Sequence, residues 1–408
     1  MIDYEGDGEE MNIDRVRAFF RKYQYPILFT VKLRIIISLW MMFIGMIIDR
    51  YYPDDSLLLK SAFGQLTPQP TLIGRALLDV WLRWDAVHYM NIALQGYSGV
   101  GTGDYNFPPL YPYLTLAFKW LTFSNEIIAG LLISTLATMI AFVLLYKFIR
   151  EDYDDERLAR NTVLVYGLYP TSFFLFAPYT DGLFLCLTVA FFLLLYKRRW
   201  ILAGILISLA SITRIQGVLL VLPFIFEFVR DIYGAHQKIN WRIISGFSLA
   251  PLGFILFSIW RANQKTPPLI DTFNQYSQIV FVNPIHGMIL AIRQFMESGS
   301  LLVLGELLSL LLFGIIVAWM ISQKRYRGNL SMLVYSASLI ILFLSKHSYT
   351  ASAMQSSTRY VLAVFPAFIG IGQWMGQLSS RGQKIVRLTS FLLLLLVSTL
   401  YGFWFFVG

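Results

Sequence analysis

The chain has 408 residues, of which 57% are hydrophobic, 16% aromatic and only 14% charged. A soluble globular domain carries about 25% charged residues, so the composition excludes one and calls for an all-α, polytopic membrane protein. The net charge of +9 sits in short loops between apolar runs, where membrane orientation places Lys and Arg, so nucleic acid is not an expected partner.

Residues 1–25 are polar and charged and read as a cytosolic N-terminal segment with no cleavable signal peptide, followed by a single transmembrane domain over 26–408. A helical span needs about 20 mostly apolar residues. Such runs lie near 26–48, 126–149, 161–178, 182–196, 200–213, 215–229, 243–260, 301–322, 329–345, 360–377 and 388–407, which makes about 11 transmembrane helices. The pair at 200–229 is short and divided only by TRIQG (213–217), so one long bent helix is the rival reading there. With the N-terminus in the cytosol, about two-thirds of the Lys and Arg fall on the inner side, as the positive-inside rule requires.

Most out-of-place polar residues then gather on the outer side. The first outer segment, 49–125, holds two helix-like stretches too polar or too short to span, 85–97 and 110–123. On a helix, Asp85, His88, Asn91 and Gln95 share one side and Val87, Met90, Ala93 and Leu94 face another, a pattern suited to an interfacial helix. Asp85 can be a helix N-cap, or a base held at the mouth of a cleft, and His88 one turn on can meet it. Asp104, in GTGDYNFPPLYP, reads slightly better as turn chemistry than as function.

Asp181 lies in the tight outer connection PYTDG (178–182), where turn chemistry accounts for it, although it shares the outer face with Asp85. The lone cysteine, Cys186, excludes an intrachain disulfide and a Cys-based metal site. Arg214 stands between two apolar runs. It either snorkels to the interface or serves function. Lys346, His347 and Arg359 crowd SKHSYTASAMQSSTRY (345–360) on the side where positive charge is disfavoured, which points to an anionic ligand such as a lipid phosphate. An interfacial anchor built on Tyr349 and Tyr360 is the alternative. An outer carboxylate can take an acceptor proton as general base while cations stabilise a departing phosphate. Spacing alone stops at a membrane enzyme or transporter with an outer polar site.

The motif WDAVHYMNIALQGY resembles the first-loop element of the PIG-V family, the second mannosyltransferases of glycosylphosphatidylinositol assembly, in its Trp84-Asp85, His88, Ile92-Ala93 and Gly96-Tyr97. NFPPLYP (106–112), PTSFFLFAPYTDGLF (170–184), TRIQG and STRYVLAVFP (357–366) resemble later elements of that family, with Asp181 where glutamate is usual. The resemblance implies a GT-C glycosyltransferase that moves a sugar, mannose by family, from a polyprenyl phosphate donor to a hydroxyl acceptor, on the extracytoplasmic or luminal face and with inversion. Asp85 would be the base by motif. His88 and Asp181 join it as catalytic candidates, and Arg214, Lys346, His347 and Arg359 are candidates for the donor phosphate by charge and topology. A divalent metal is open: Asp85, Asp181 and His88 could hold one if they converge. The expected partners are the bilayer, a lipid-linked sugar donor and a glycan, glycolipid or protein acceptor. A prokaryotic plasma membrane is preferred to an endoplasmic reticulum membrane. The alternative function is a transporter or flippase of a lipid-linked sugar, ranked second because no repeat is visible and the polar groups collect on one face.

Overall fold

The computed structural model describes residues 6–51, 66–97, 102–234, 239–348 and 352–407. Tyr349 lies outside them. The eleven expected apolar runs fall largely on helical structure, 161–178 only in part, and the protein is an all-α integral membrane protein.

The long first helix, α1 (Gly6–Tyr51), is broken near its start. Pro26 lacks an N–H and its ring crowds the carbonyl four residues back. Tyr23 accordingly leaves helical geometry, at φ −111° and ψ 18°. The segment expected on the outer side follows with α2 (Leu72–Leu77), α3 (Asp85–Gln95) and α4 (Leu110–Phe118). The last two are the stretches expected from amphipathicity. α3 buries Val87, Met90, Ile92 and Ala93, but it also buries Asn91, which the wheel had put on the wet side.

The bundle is built from α5 (Glu126–Tyr153), α6 (Glu156–Gly167), α7 (Asp181–Tyr196), α8 (Trp200–Ser211), α9 (Val221–Val229), α10 (Trp241–Leu249) and α11 (Leu252–Asn263). Then come α12 (Leu269–Ser277), α13 (Pro284–Ser298), α14 (Leu301–Ser322), α15 (Leu330–Ser345), α16 (Ser357–Tyr360), α17 (Phe365–Gln377) and α18 (Ser380–Gly402). Among the described residues six helical stretches are long and apolar enough to cross a membrane: Arg17–Tyr51, Glu126–Tyr153, Trp241–Asn263, Leu301–Ser322, Lys324–Ser345 and Ser380–Gly402. α7 and α8 are apolar but shorter. Helix starts carry side-chain caps where the sequence offers them: Asn125 accepts from the N–H of Ile128 (3.0 Å) and Asp155 from that of Leu158 (2.8 Å).

Two breaks matter for the site. The run expected at 161–178 ends as α-helix at Gly167, and turns carry the chain to Asp181. Between α8 and α9 the helix stops at Ser211, Arg214 is extended (φ −148°, ψ 137°), and a 3-10 turn over Ile215–Leu220 resumes. A single bent helix is therefore not what forms there. Glycine permits both breaks to pack. A Cβ on Gly182 would sit 2.7 Å from the carbonyl oxygen of Leu175, and one on Gly217 2.3 Å from the carbonyl carbon of Ala210. A short antiparallel pair, β1 (Ile279–Phe281) with β2 (Lys346–Ser348), lies beside them, with Phe281 opposite Lys346.

Candidate active site

The chain breaks deliver charged residues from four separate places to one point. α7 begins at Asp181, whose side chain is 1% exposed. Arg214, in the extended gap after α8, donates to Asp181 Oδ1. Arg359, from α16, donates to Asp181 Oδ2 through Nε (3.0 Å) and Nη2 (2.9 Å). Its remaining Nη1 reaches Asp85 Oδ2 at 2.6 Å. A guanidinium is planar and offers donors in a fixed fork, so one arginine can bridge two carboxylates that approach from different helices. Its plane also lies over the rings of Tyr179 (4.4 Å) and Phe174 (4.9 Å), which favour a cation in this low-dielectric setting.

Asp85 and Asp181 share an arginine but differ in surroundings. Asp85 is the first residue of α3, and its side chain is 35% exposed. It faces a cavity of about 420 Å³ lined by Asp85, His88, Arg214, Lys346, Arg359 and Tyr360, with Asn106, Gln216 and Gln355 among the polar neighbours. Asp181 and His347 are buried behind that lining. The wall thus carries three full cations, while the carboxylates paired with them number two, an excess that an anion would balance.

Lys346 is held in place by the carbonyl of Gln355 (2.8 Å) and lies 4.6 Å above the Tyr360 ring. The loop that supplies Gln355 and Ser356 is itself fixed from below. Ser356, in left-handed geometry at φ 69°, donates its N–H to Glu306 Oε1 at 2.8 Å. Glu306 is fully buried within α14. Sequence reasoning passed over it, although a carboxylate inside LLVLGELLSLLL is the signal that an intramembrane charge gives.

His88 does not pair with Asp85 as the one-turn spacing suggested. Its Nδ1 pairs with Asp104 Oδ1, and its ring stacks on Phe107 (4.7 Å, 16° between planes). Asp104 is therefore more than turn chemistry. Desolvation pulls the His88 imidazole down, but the hydrogen bond and charge of Asp104, with Asp85 adding to them, outweigh it and raise the pKa above the usual range. The metal site considered from sequence does not form. Arg359 occupies the space between Asp85 and Asp181, and among the described residues no three His, Cys, Asp or Glu side chains are grouped to hold a metal ion.

A second cavity, of about 270 Å³, adjoins the first and shares Ile215, Gln216, Phe273, Ile279, Lys346 and Tyr360 with it. Its further walls are apolar: Val218, Leu219, Phe254, Phe281, Leu342 and Phe343. The two together form a polar chamber opening into a greasy slot.

The sequence profile of glycosyltransferase family 87 matches residues 105–346, more than half of the chain. The chain belongs to glycosyltransferase family 87. Asp181, Arg214 and Lys346 of this family 87 protein lie inside the matched stretch, while Asp85, His88 and Arg359 flank it. Curated relatives carry the name GPI mannosyltransferase 2, in agreement with the resemblance of the first-loop motif. The Yarrowia lipolytica protein is 25% identical over 240 residues, 57% of this chain and 58% of its own. The Schizosaccharomyces pombe protein is 26% identical over 171 residues, 40% of this chain and 36% of its own. The family 87 chain thus spans between about a third and three-fifths of the length of these relatives. In fold it is similar to ArnT from Cupriavidus metallidurans, solved bound to undecaprenyl phosphate, with a TM-score of 0.52, 16% identity, and 88% of this chain and 62% of that one covered.

Proposed function

We propose that this protein transfers a sugar, mannose by analogy with its relatives, from a polyprenyl phosphate to a hydroxyl acceptor at the extracytoplasmic or luminal membrane surface. One observation carries the reading: a chamber with three cations and a carboxylate opens directly into an apolar slot. A lipid-linked sugar phosphate has the same division, a charged head beside a hydrocarbon chain. The phosphate fits against Arg214, Lys346 and Arg359, and the prenyl chain against Phe254, Phe281, Leu342 and Phe343. The ligand named for the ArnT structure, undecaprenyl phosphate, is of this class.

Asp85 is the proposed base. The incoming phosphate draws Arg359 toward itself and loosens its hold on Asp85, while Asp181 keeps the other edge of the guanidinium fixed. The acceptor hydroxyl then attacks the anomeric carbon from the face opposite the phosphate, and its proton passes to Asp85. The bond from sugar to phosphate breaks with its electron pair going to the phosphate oxygen, where the cations stabilise the added charge. Inversion follows from one displacement. Asp181 acts through the two arginines, as a positioning residue. His88, its ring held by Asp104 and stacked on Phe107, shares the chamber wall with Asp85.

The test uses purified protein, radiolabelled polyprenyl-phosphate-mannose and a crude lipid acceptor pool, counting hydrolysis and transfer together. Wild type should turn over, and Asp85→Asn should lose a factor of about 100 or more, the range a general base supplies. Equal rates would remove Asp85 as the base. A wild type inert toward mannose, glucose and arabinose donors would favour transport of the lipid-linked sugar.

A further inference from the structure

We propose that the end of the bundle opposite the candidate active site binds an anionic glycerophospholipid, by its phosphate and by one acyl chain. Residues 25–49 of α1 rise about 36 Å along the helix axis, somewhat more than the roughly 30 Å hydrocarbon thickness of a bilayer. The Tyr25 end of α1 and the Asp49 end, which pairs with Arg75 of the outer segment, therefore address different leaflets. At the Tyr25 end there is a cavity of about 380 Å³ whose wall, among the described residues, holds four cations, Arg21, Lys22, Lys32 and Arg160, against the single carboxylate of Glu156.

That carboxylate is already engaged. Glu156 Oε1 accepts from Arg160 Nη2 (2.7 Å) and from the Tyr146 hydroxyl (3.1 Å). Among the described residues no carboxylate comes within ion-pair distance of Arg21, Lys22 or Lys32. The cavity then continues into a second one of about 470 Å³ between α1 and α18, the two sharing Phe29 and Lys32. This groove is walled by Leu33, Ile36, Leu168, Leu388 and Phe391. Arg387 and Lys384 stand on its rim, and Arg387 has a buried Nε without a hydrogen-bond partner.

A general excess of Lys and Arg on one membrane face would follow from orientation alone. It does not require the cations to converge on one cavity, nor that cavity to run into a groove of lipid-chain width. Phosphate bears the complementary charge, and a groove facing the hydrocarbon takes the attached chain. Basic pockets between helices select anionic head groups in this way. The bound lipid would lie between α1 and α18 and tie the kinked start of α1 to α5 and α6.

The test is native mass spectrometry of the full-length protein in neutral detergent, with phosphatidylglycerol and phosphatidylcholine of identical acyl chains. The expected result is at least tenfold greater retention of phosphatidylglycerol, reduced at least fivefold by Lys32→Glu, which alters the one cation common to both cavities. The double variant Arg21→Gln with Lys22→Gln, both exposed, should reduce it as well while leaving the thermal midpoint of the lipid-free protein unchanged. Equal retention of the two lipids, or retention unaffected by either variant, overturns the proposal. Displacement of phosphatidylglycerol by millimolar inorganic phosphate assigns the cavity to a free anion and overturns the lipid reading. None of these outcomes depends on sugar transfer.

Discussion

The two ends of the bundle use the same ion-pair chemistry in opposite surroundings. At the candidate active site, Asp181, Arg214 and Arg359 are almost sealed from solvent, with side chains 1%, 8% and 3% exposed. At the far end Glu156 and Arg160 pair with side chains 46% and 54% exposed. Buried charges must be matched in number and geometry, because an unmatched one has no water to turn to. Exposed charges are screened and can exchange partners. The sealed cluster therefore suits a site that holds reacting groups in fixed positions, and the open one suits a surface that adapts to lipid.

The largest expected effect breaks the sealed cluster. Asp181→Ala leaves two arginines buried against each other, and removal of one member of a buried pair costs about 3–5 kcal/mol. Thermal unfolding in detergent should show it. Asp85→Asn should leave stability nearly unchanged, because Arg359 retains both contacts with Asp181, while activity collapses. If the two variants destabilise equally, the division of labour between the carboxylates is wrong.

Glu306 gives the next effect. Glu306→Leu strands the buried N–H of Ser356, which costs about 1–3 kcal/mol, and frees the loop that carries Lys346's partner Gln355. Glu306→Gln keeps an acceptor oxygen and should recover most of both stability and donor KM. A Gln variant as damaged as the Leu variant would mean that the charge itself, rather than the hydrogen bond to Ser356, is what the site uses.

The fold was largely legible because spans are written in composition, and the amphipathic pattern of 85–97 and 110–123 was enough to find α3 and α4. That Asp85, Asp181, Arg214 and Arg359 lie toward one side of the bundle was legible too, through the Lys and Arg bias of the loops, and the structure brings them together. What the sequence withheld was pairing across long separations. Arg359 reaches Asp85 across 274 positions and Asp181 across 178, and no local pattern encodes that. His88 illustrates the limit: helical spacing nominated Asp85 as its partner, whereas the fold of 102–107 brings in Asp104. β2 was invisible because a three-residue strand carries no period.

The His88–Asp104 pair lies between the two extremes, buried on the acid side and half-exposed on the imidazole side, with side chains 4% and 47% exposed. A raised imidazole pKa in the folded protein means that folding takes up protons. The stabilisation is complete below the unfolded value near 6.5 and fades as pH rises through the higher folded value. The difference in thermal midpoint between wild type and His88→Gln should therefore be largest near pH 6 and shrink toward alkaline pH. A difference that grows with pH would contradict an imidazole pKa raised by Asp104.

The smallest stability change is expected at the open end, and there it separates strength from function. Glu156→Gln removes the exposed pair with Arg160, four residues on in the same helix and worth about 0.3–0.5 kcal/mol, together with a looser exposed pair to Arg150 at 3.9 Å. The thermal midpoint should scarcely move. Among the described residues the same change removes the only carboxylate from a wall of four cations, so the attraction for a lipid phosphate rises, and phosphatidylglycerol should be retained more strongly than by wild type. A neutralised carboxylate that weakened lipid retention would show that Glu156 holds Arg160 in the geometry the lipid needs. In that case the far end would also be organised by a fixed ion pair, and the contrast with the sealed cluster would be one of exposure alone.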